Sequence, residues 1–218
     1  MELQESPFAT ATTFLAPLAS LALPEIQLAL GQLRYERGVF TAEWLAGRPL
    51  PTADAKQPSQ TVALADNNGF TRTTSGESIA QGHRQRPRTQ VYESLHVRSD
   101  SWLSLVTLQL ASLMRRDVVC TAYASHAGDR NLGLHDDAWT GVIVQISGAK
   151  HWLIWPAAHS SPHEILMKTG DVMVLPQGMK HQVSTPDDPG RSLHLVFAVT
   201  DRPIDPEPSH EAIAASAA

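Results

Sequence analysis

Two histidines and an aspartate are the residues of this chain best suited to chemistry. The run Leu134-His135-Asp136-Asp137 sets a His and a carboxylate one residue apart, and a second candidate His, His181, follows well downstream. Two imidazoles and a carboxylate can hold one face of a non-haem Fe(II) and leave the other positions open for co-substrate and oxygen. The absence of a thiolate suits Fe(II), although Mn, Co, Ni or Zn would also be accepted. Side chains alternate along an extended segment, so His135 and Asp137 should point one way and Asp136 the other. Asp137 is therefore the expected carboxylate ligand. Lys150 is the next residue of interest. Buried in a barrel, a Lys pays heavily for desolvation unless it meets an anion, and facing inward it would suit a dicarboxylate. Facing outward it would be an ordinary Lys at a hairpin turn, and spacing alone leaves both open.

The elements that must position these residues change character along the chain. Residues 1 to about 50 read as helices and loops. Pro24-Glu25 opens a short amphipathic stretch to Leu30. Thr41 is a good N-cap for Ala42-Glu43-Trp44-Leu45-Ala46, which Gly47 stops. Residues 51–60 read as a loop, and 61–65 as a short strand closed by Asp66-Asn67-Asn68-Gly69. The polar stretch 71–89, with His83, Arg84, Arg86 and Arg88, reads as a solvated mobile loop or as a lid over a site. Ser101–Arg116 is the clearest helix, with Leu103, Val106, Leu110 and Leu113 at helical spacing. After Asp117 the period drops to two. Strands are expected at 118–123, 141–146, 150–155, 171–175, 180–184 and 192–199, with Ser147-Gly148-Ala149 as a tight turn. A helical front and an all-β back predict a mainly β fold, a sandwich or jelly-roll barrel with N-terminal helical additions. The expected division is an extension over 1–60, a barrel over 61–200 and a disordered tail over 201–218.

Bulk properties narrow the class. The 218 residues are 42% hydrophobic and 18% charged, an ordinary globular composition. A net charge of −5 gives no reason to expect nucleic acid or an anionic membrane as partner. Cys120, the single cysteine, rules out an internal disulfide and a Cys-based zinc site. An acidic start and an apolar run broken by Pro17 and Pro24 point to a cytoplasmic protein with no membrane span. His126, His151, His159, His163 and His210 are read as surface or packing residues. Trp152 and Trp155 are read as barrel packing, and Cys120 as a small buried apolar residue.

One set of motifs carries a family resemblance. Thr121-Ala122-Tyr123, Leu134-His135-Asp136-Asp137 and Val144-Gln145-Ile146-Ser147-Gly148-Ala149-Lys150-His151-Trp152 resemble the JmjC-type cupin oxygenases. So do Thr169-Gly170-Asp171 through Pro176-Gln177-Gly178 to His181, and Arg191-Ser192-Leu193-His194-Leu195. The similarity is strongest to the ribosomal-oxygenase (cupin-4) subgroup of protein histidyl and arginyl hydroxylases, and covers roughly residues 60–200. It implies a double-stranded β-helix and a dioxygenase that uses Fe(II), 2-oxoglutarate and O2. His135, Asp137 and His181 would ligate the iron. Lys150, helped by Tyr123, would bind the distal carboxylate of 2-oxoglutarate, with Ser192 and His194 lining the pocket. The implied partner is a peptide or protein, hydroxylated on a side chain, and a homodimer stays open. The chain departs from the subgroup at Asp136, where an aromatic is usual, and in ending soon after its last strand. The latter suggests a smaller substrate, such as a natural-product precursor peptide. The competing reading is a cupin metal enzyme, an isomerase or dioxygenase, acting on a small molecule without 2-oxoglutarate.

Overall fold

The computed structural model of the chain describes residues 6–22, 31–48, 50, 62–73, 76–97, 101–157 and 160–203. Its helices are α1 (Pro7–Ala22), α2 (Ala42–Ala46), α3 (Gly76–Gln85) and α4 (Trp102–Met114). Its strands are β1 (Arg34–Glu36), β2 (Val62–Asp66), β3 (Gly69–Thr73), β4 (Thr89–Tyr92), β5 (Arg116–His126), β6 (Thr140–Trp155), β7 (His163–Lys168), β8 (Val172–Leu175), β9 (Lys180–Ser184) and β10 (Arg191–Pro203). A 3₁₀ turn, Leu95–Val97, precedes α4. Pairing is antiparallel, in the order β1-β8-β6-β10-β5-β4-β2-β3, with β7 and β9 both on the second half of β6. This is the mainly β architecture with helical additions that the sequence implies.

Alternation divides the apolar residues between two cores. On β5, Val118, Cys120 and Ala122 face the helices; on β10, Leu195, Phe197 and Val199 do the same. They bury against Leu103, Val106 and Leu110 of α4 and Phe14 and Leu18 of α1. Phe14 stacks on Phe40 at 4.7 Å and meets Trp102 at 4.9 Å. The opposite faces of the same strands form the barrel interior, with Ile143, Trp152, Ile154, Met167, Met173 and Val196. Cys120 is fully buried, in the helix-facing core.

The caps follow the residue chemistry. Thr41 and Ser101 accept hydrogen bonds from Trp44 N–H and Leu103 N–H at the starts of α2 and α4. Four expectations need correction. The polar stretch 71–89 is not a loop, because it holds the end of β3 and helix α3. That helix is anchored by Ile79, which buries against Val62 and Leu64. Ser147-Gly148-Ala149 is not a turn, because β6 runs unbroken from Thr140 to Trp155 through a bulge. Opposite it, Leu193 pairs with Ser147 but His194 with Gln145, so β6 carries one extra residue. Gly148 takes φ +70° there, against the carbonyl of Arg191. Trp155 does not join Trp152 inside: odd spacing puts it on the other face, half-exposed. β10 continues through Pro203, three residues into the expected tail. The expected stretch at 24–30, the loop at 51–60, the tail from 204, His159 and His210 lie outside the described residues.

Candidate active site

The bulge decides which side of β6 faces the cavity. Before it, odd-numbered residues such as Ile143 face the barrel interior; after it, the even-numbered Lys150, Trp152 and Ile154 do. Without the extra residue Lys150 would point at the helices. Instead it is 1% exposed and lines a cavity of about 500 Å³.

His135, Asp137 and His181 meet at this cavity, each offering a ligand atom, with those atoms all within 4.8 Å of one another. His135 and His181 form an isolated antiparallel bridge. Their backbones exchange both bonds, His135 N–H to His181 O at 3.0 Å and the reverse at 2.8 Å. The two rings lie 4.3 Å apart, and His181 Nε2 is 3.7 Å from Asp137 Oδ2. The loop before them is shaped by Asn131, whose Oδ1 accepts from Gly133 N–H and whose Nδ2 donates to Val183 O, each at 2.8 Å. Gly178 N–H donates to Asp137 O at 2.8 Å and ties the β8–β9 turn to the acidic ligand.

Each histidine is oriented in the same way. Protonated at Nδ1, His135 donates to Gly133 O at 2.9 Å and His181 to Met179 O at 3.0 Å. That leaves both Nε2 lone pairs free for a metal, the usual outer-shell arrangement for a metal-binding imidazole. Burial pulls the His181 pKa down to about 4, so the ring is neutral at pH 7. Burial, with Asp136 nearby, pushes the Asp137 carboxyl up to about 6, against the opposing pull of His135. A divalent cation would stabilise a carboxylate that the site otherwise makes costly. The donor set therefore fits Fe(II). Asp136 sits exposed at the cavity rim, outside the ligand set.

Deeper in, Lys150 Nζ donates to Ser125 Oγ at 2.8 Å and Thr185 Oγ1 at 3.1 Å. Burial lowers its pKa to about 8, partly offset by the charge of Asp129. Tyr123 stacks on His194, with ring centroids 5.2 Å apart and planes 6° off parallel, and both line the cavity. Burial raises the Tyr123 pKa and, with Lys150 nearby, holds His194 neutral. Ser192 lies one register step beyond, opposite Ser125; it accepts from Gln145 Nε2 at 3.0 Å and is not a cavity-lining residue. Two buried donor-capable atoms in this region, Trp152 Nε1 and His194 Nδ1, have no protein partner. Such atoms are costly unless something polar meets them.

Ser125 and Thr185 were not singled out from the sequence. Alternation could have found them: Ser125 shares a face with Tyr123, and Thr185 with His181 and Val183. Of the remaining histidines, His151 pairs with Glu164 at 2.6 Å and His163 is exposed. His126 joins a separate cluster.

No protein-family profile matches the chain. Ribosomal oxygenase 2 of Mus musculus is 32% identical over a 91-residue alignment that takes in 35% of this chain and 20% of that protein. The Rattus norvegicus protein of the same name is 30% identical over the same span. Among solved structures, YcfD, a ribosomal oxygenase from Escherichia coli, superposes with TM-score 0.55 and 12% identity. The match covers 91% of this chain and 55% of that one. The same enzyme in complex with cobalt and succinic acid gives TM-score 0.50 at 12% identity, covering 85% and 51%. The chain thus spans about a fifth of the curated relatives and about half of the structural one. None of its described helices is long and apolar enough to cross a membrane.

Proposed function

We propose that the chain is an Fe(II)- and 2-oxoglutarate-dependent hydroxylase of the JmjC cupin type, a reading supported by the likeness of its sequence to ribosomal oxygenase 2 and of its fold to YcfD. The observation that carries this reading is Lys150. It is buried in the same cavity as the triad, and its ammonium is hydrogen-bonded to two hydroxyls and to no carboxylate. A buried cation so placed calls for an anionic guest.

His135 Nε2, His181 Nε2 and a carboxylate oxygen of Asp137 would hold the iron. Once bound with 2-oxoglutarate and O2, iron supplies oxidative decarboxylation to succinate and CO2, with the second oxygen atom entering a substrate C–H bond. The protein's part is placement. Lys150, Ser125 and Thr185 give one cation and two hydroxyls for a carboxylate, a charge-assisted contact. Tyr123, stacked flat on His194, walls the side of that subsite. Ile143, Leu175, Val196 and Ala198 keep the rest of the cavity apolar and exclude water.

The substrate is read as a side chain of a peptide or protein, His or Arg favoured, with a natural-product precursor peptide among the candidates. Asp136 lines the cavity rim and would favour a cationic or hydrogen-bond-donating side chain there. Incubation with Fe(II), ascorbate, 2-oxoglutarate and candidate peptides should yield succinate and a one-oxygen mass gain on a single side chain. Lys150→Ala should raise the 2-oxoglutarate requirement at least tenfold while the bound-iron stoichiometry stays at one. Turnover of any substrate in the absence of 2-oxoglutarate would overturn the reading.

A further inference from the structure

A second pair of imidazoles converges on a carboxylate outside the barrel cavity. His83 lies in the last turn of α3, His126 ends β5, and Asp129 follows in the β5–β6 connection. His83 Nε2 is 3.4 Å and His126 Nδ1 3.7 Å from the same oxygen, Asp129 Oδ2. One ligand atom from each residue lies within 4.8 Å of the others. From these residues we propose a second divalent-metal site, for an imidazole-preferring ion of the Zn(II), Co(II) or Ni(II) class.

The geometry needs little change. Ligands sharing an ion at bonds of about 2.0–2.2 Å stand roughly 3.3 Å apart in a tetrahedron. Asp129 Oδ2 is already close to that from His83. The remaining adjustment falls on the His126 ring, whose side chain is 66% exposed and free to rotate. Asp129 is the fixed member. Its side chain is 3% exposed, and Oδ2 accepts the His126 N–H at 2.8 Å, which aims the carboxylate at the imidazoles.

The platform beneath is already assembled. Thr89 N–H donates to Arg130 O at 2.8 Å and Arg130 N–H to Pro87 O at 3.1 Å, so the exit of α3 and the β5–β6 connection are held together by backbone. The site is half open to solvent, leaving a position for water. Its bound ion would fasten α3 to the connection that continues into His135. This places metal chemistry on the stretch 71–89 that the oxygenase reading leaves idle, and it does not depend on that reading.

The test uses the full chain with the cavity set disabled, His135→Ala with His181→Ala, titrated with Co(II). The expected result is one bound equivalent, a visible d–d absorption and a raised thermal midpoint. Adding His83→Ala or His126→Ala should weaken binding at least tenfold, with the circular dichroism spectrum unchanged. Either no Co(II) bound by the cavity-disabled chain at sub-millimolar metal, or binding unaffected by both added variants, would overturn the site. Neither result bears on 2-oxoglutarate turnover.

Discussion

Asp137, the proposed carboxylate ligand, weighs against the stability of the apo fold. Its carboxyl pKa is raised to about 6 from 3.8, chiefly by burial. A raised pKa means that the folded chain holds the proton more tightly than the unfolded one. Stability from this group is therefore full below pH 3.8 and is lost as pH climbs through 6. Asp137→Asn should then make the apo protein more stable at pH 7.5, on the order of 1 kcal/mol or more, and abolish metal binding. Denaturant melts with and without chelator would check both. In the wild type, apparent metal affinity should fall as pH drops below 6, because the incoming ion must displace that proton. An affinity flat from pH 7.5 to 5 would contradict the assignment. His181 works in the opposite sense, since burial already keeps it neutral and ready to ligate.

Strand β6 shows how one inserted residue can redirect chemistry. Its first half feeds the helix-facing core through Val142, Val144 and Ile146, and its second half feeds the cavity through Lys150 and Trp152. Gly170 is a comparable fixed point in the β7–β8 turn. It takes φ +94°, and a Cβ there would collide with the Phe40 carbonyl. Gly170→Ala should cost upwards of about 2 kcal/mol, read as a lowered urea midpoint. Local signals did locate the cap at Thr41 and strand β9, because each rests on chemistry within a few residues. The bulge was misread because Ser-Gly is also a turn signal, and only the pairing of Leu193 and His194 across the sheet separates the two. Helix α3 was hidden for a related reason. It buries a single apolar residue, Ile79, so it lacks the stripe by which helices are recognised. β7 and β1 are edge strands whose pairing, not composition, defines them.

The molecule as a whole is a sheet used on both faces: one face covered by α1 and α4, the other closed around the cavity. The cover matters to the cavity, since both share β5, β6 and β10. Phe14 is the keystone of the cover, in contact with Phe40, Trp44, Trp102 and Phe197. Phe14→Ala should cost about 3–5 kcal/mol in a thermal or denaturant melt. A melt within 1 kcal/mol of wild type would show that α1 is not part of the cooperative unit. The segment 135–137, with two of the proposed ligands, is held more lightly. Residues 135–137 join the segment 178–181 through three backbone bonds, the reciprocal His135–His181 pair and Gly178 N–H to Asp137 O, whereas β10 is flanked along its length by β5 and β6. Breathing of the 127–139 connection can therefore open the ligand set while the barrel stays folded. Hydrogen exchange should register this directly. The amides of His135 and His181 should exchange quickly in the apo protein and slow sharply with metal, while those of Val196 and Phe197 stay protected in both. Loss of metal from the proposed site would then be set by a three-bond latch and not by the stability of the fold.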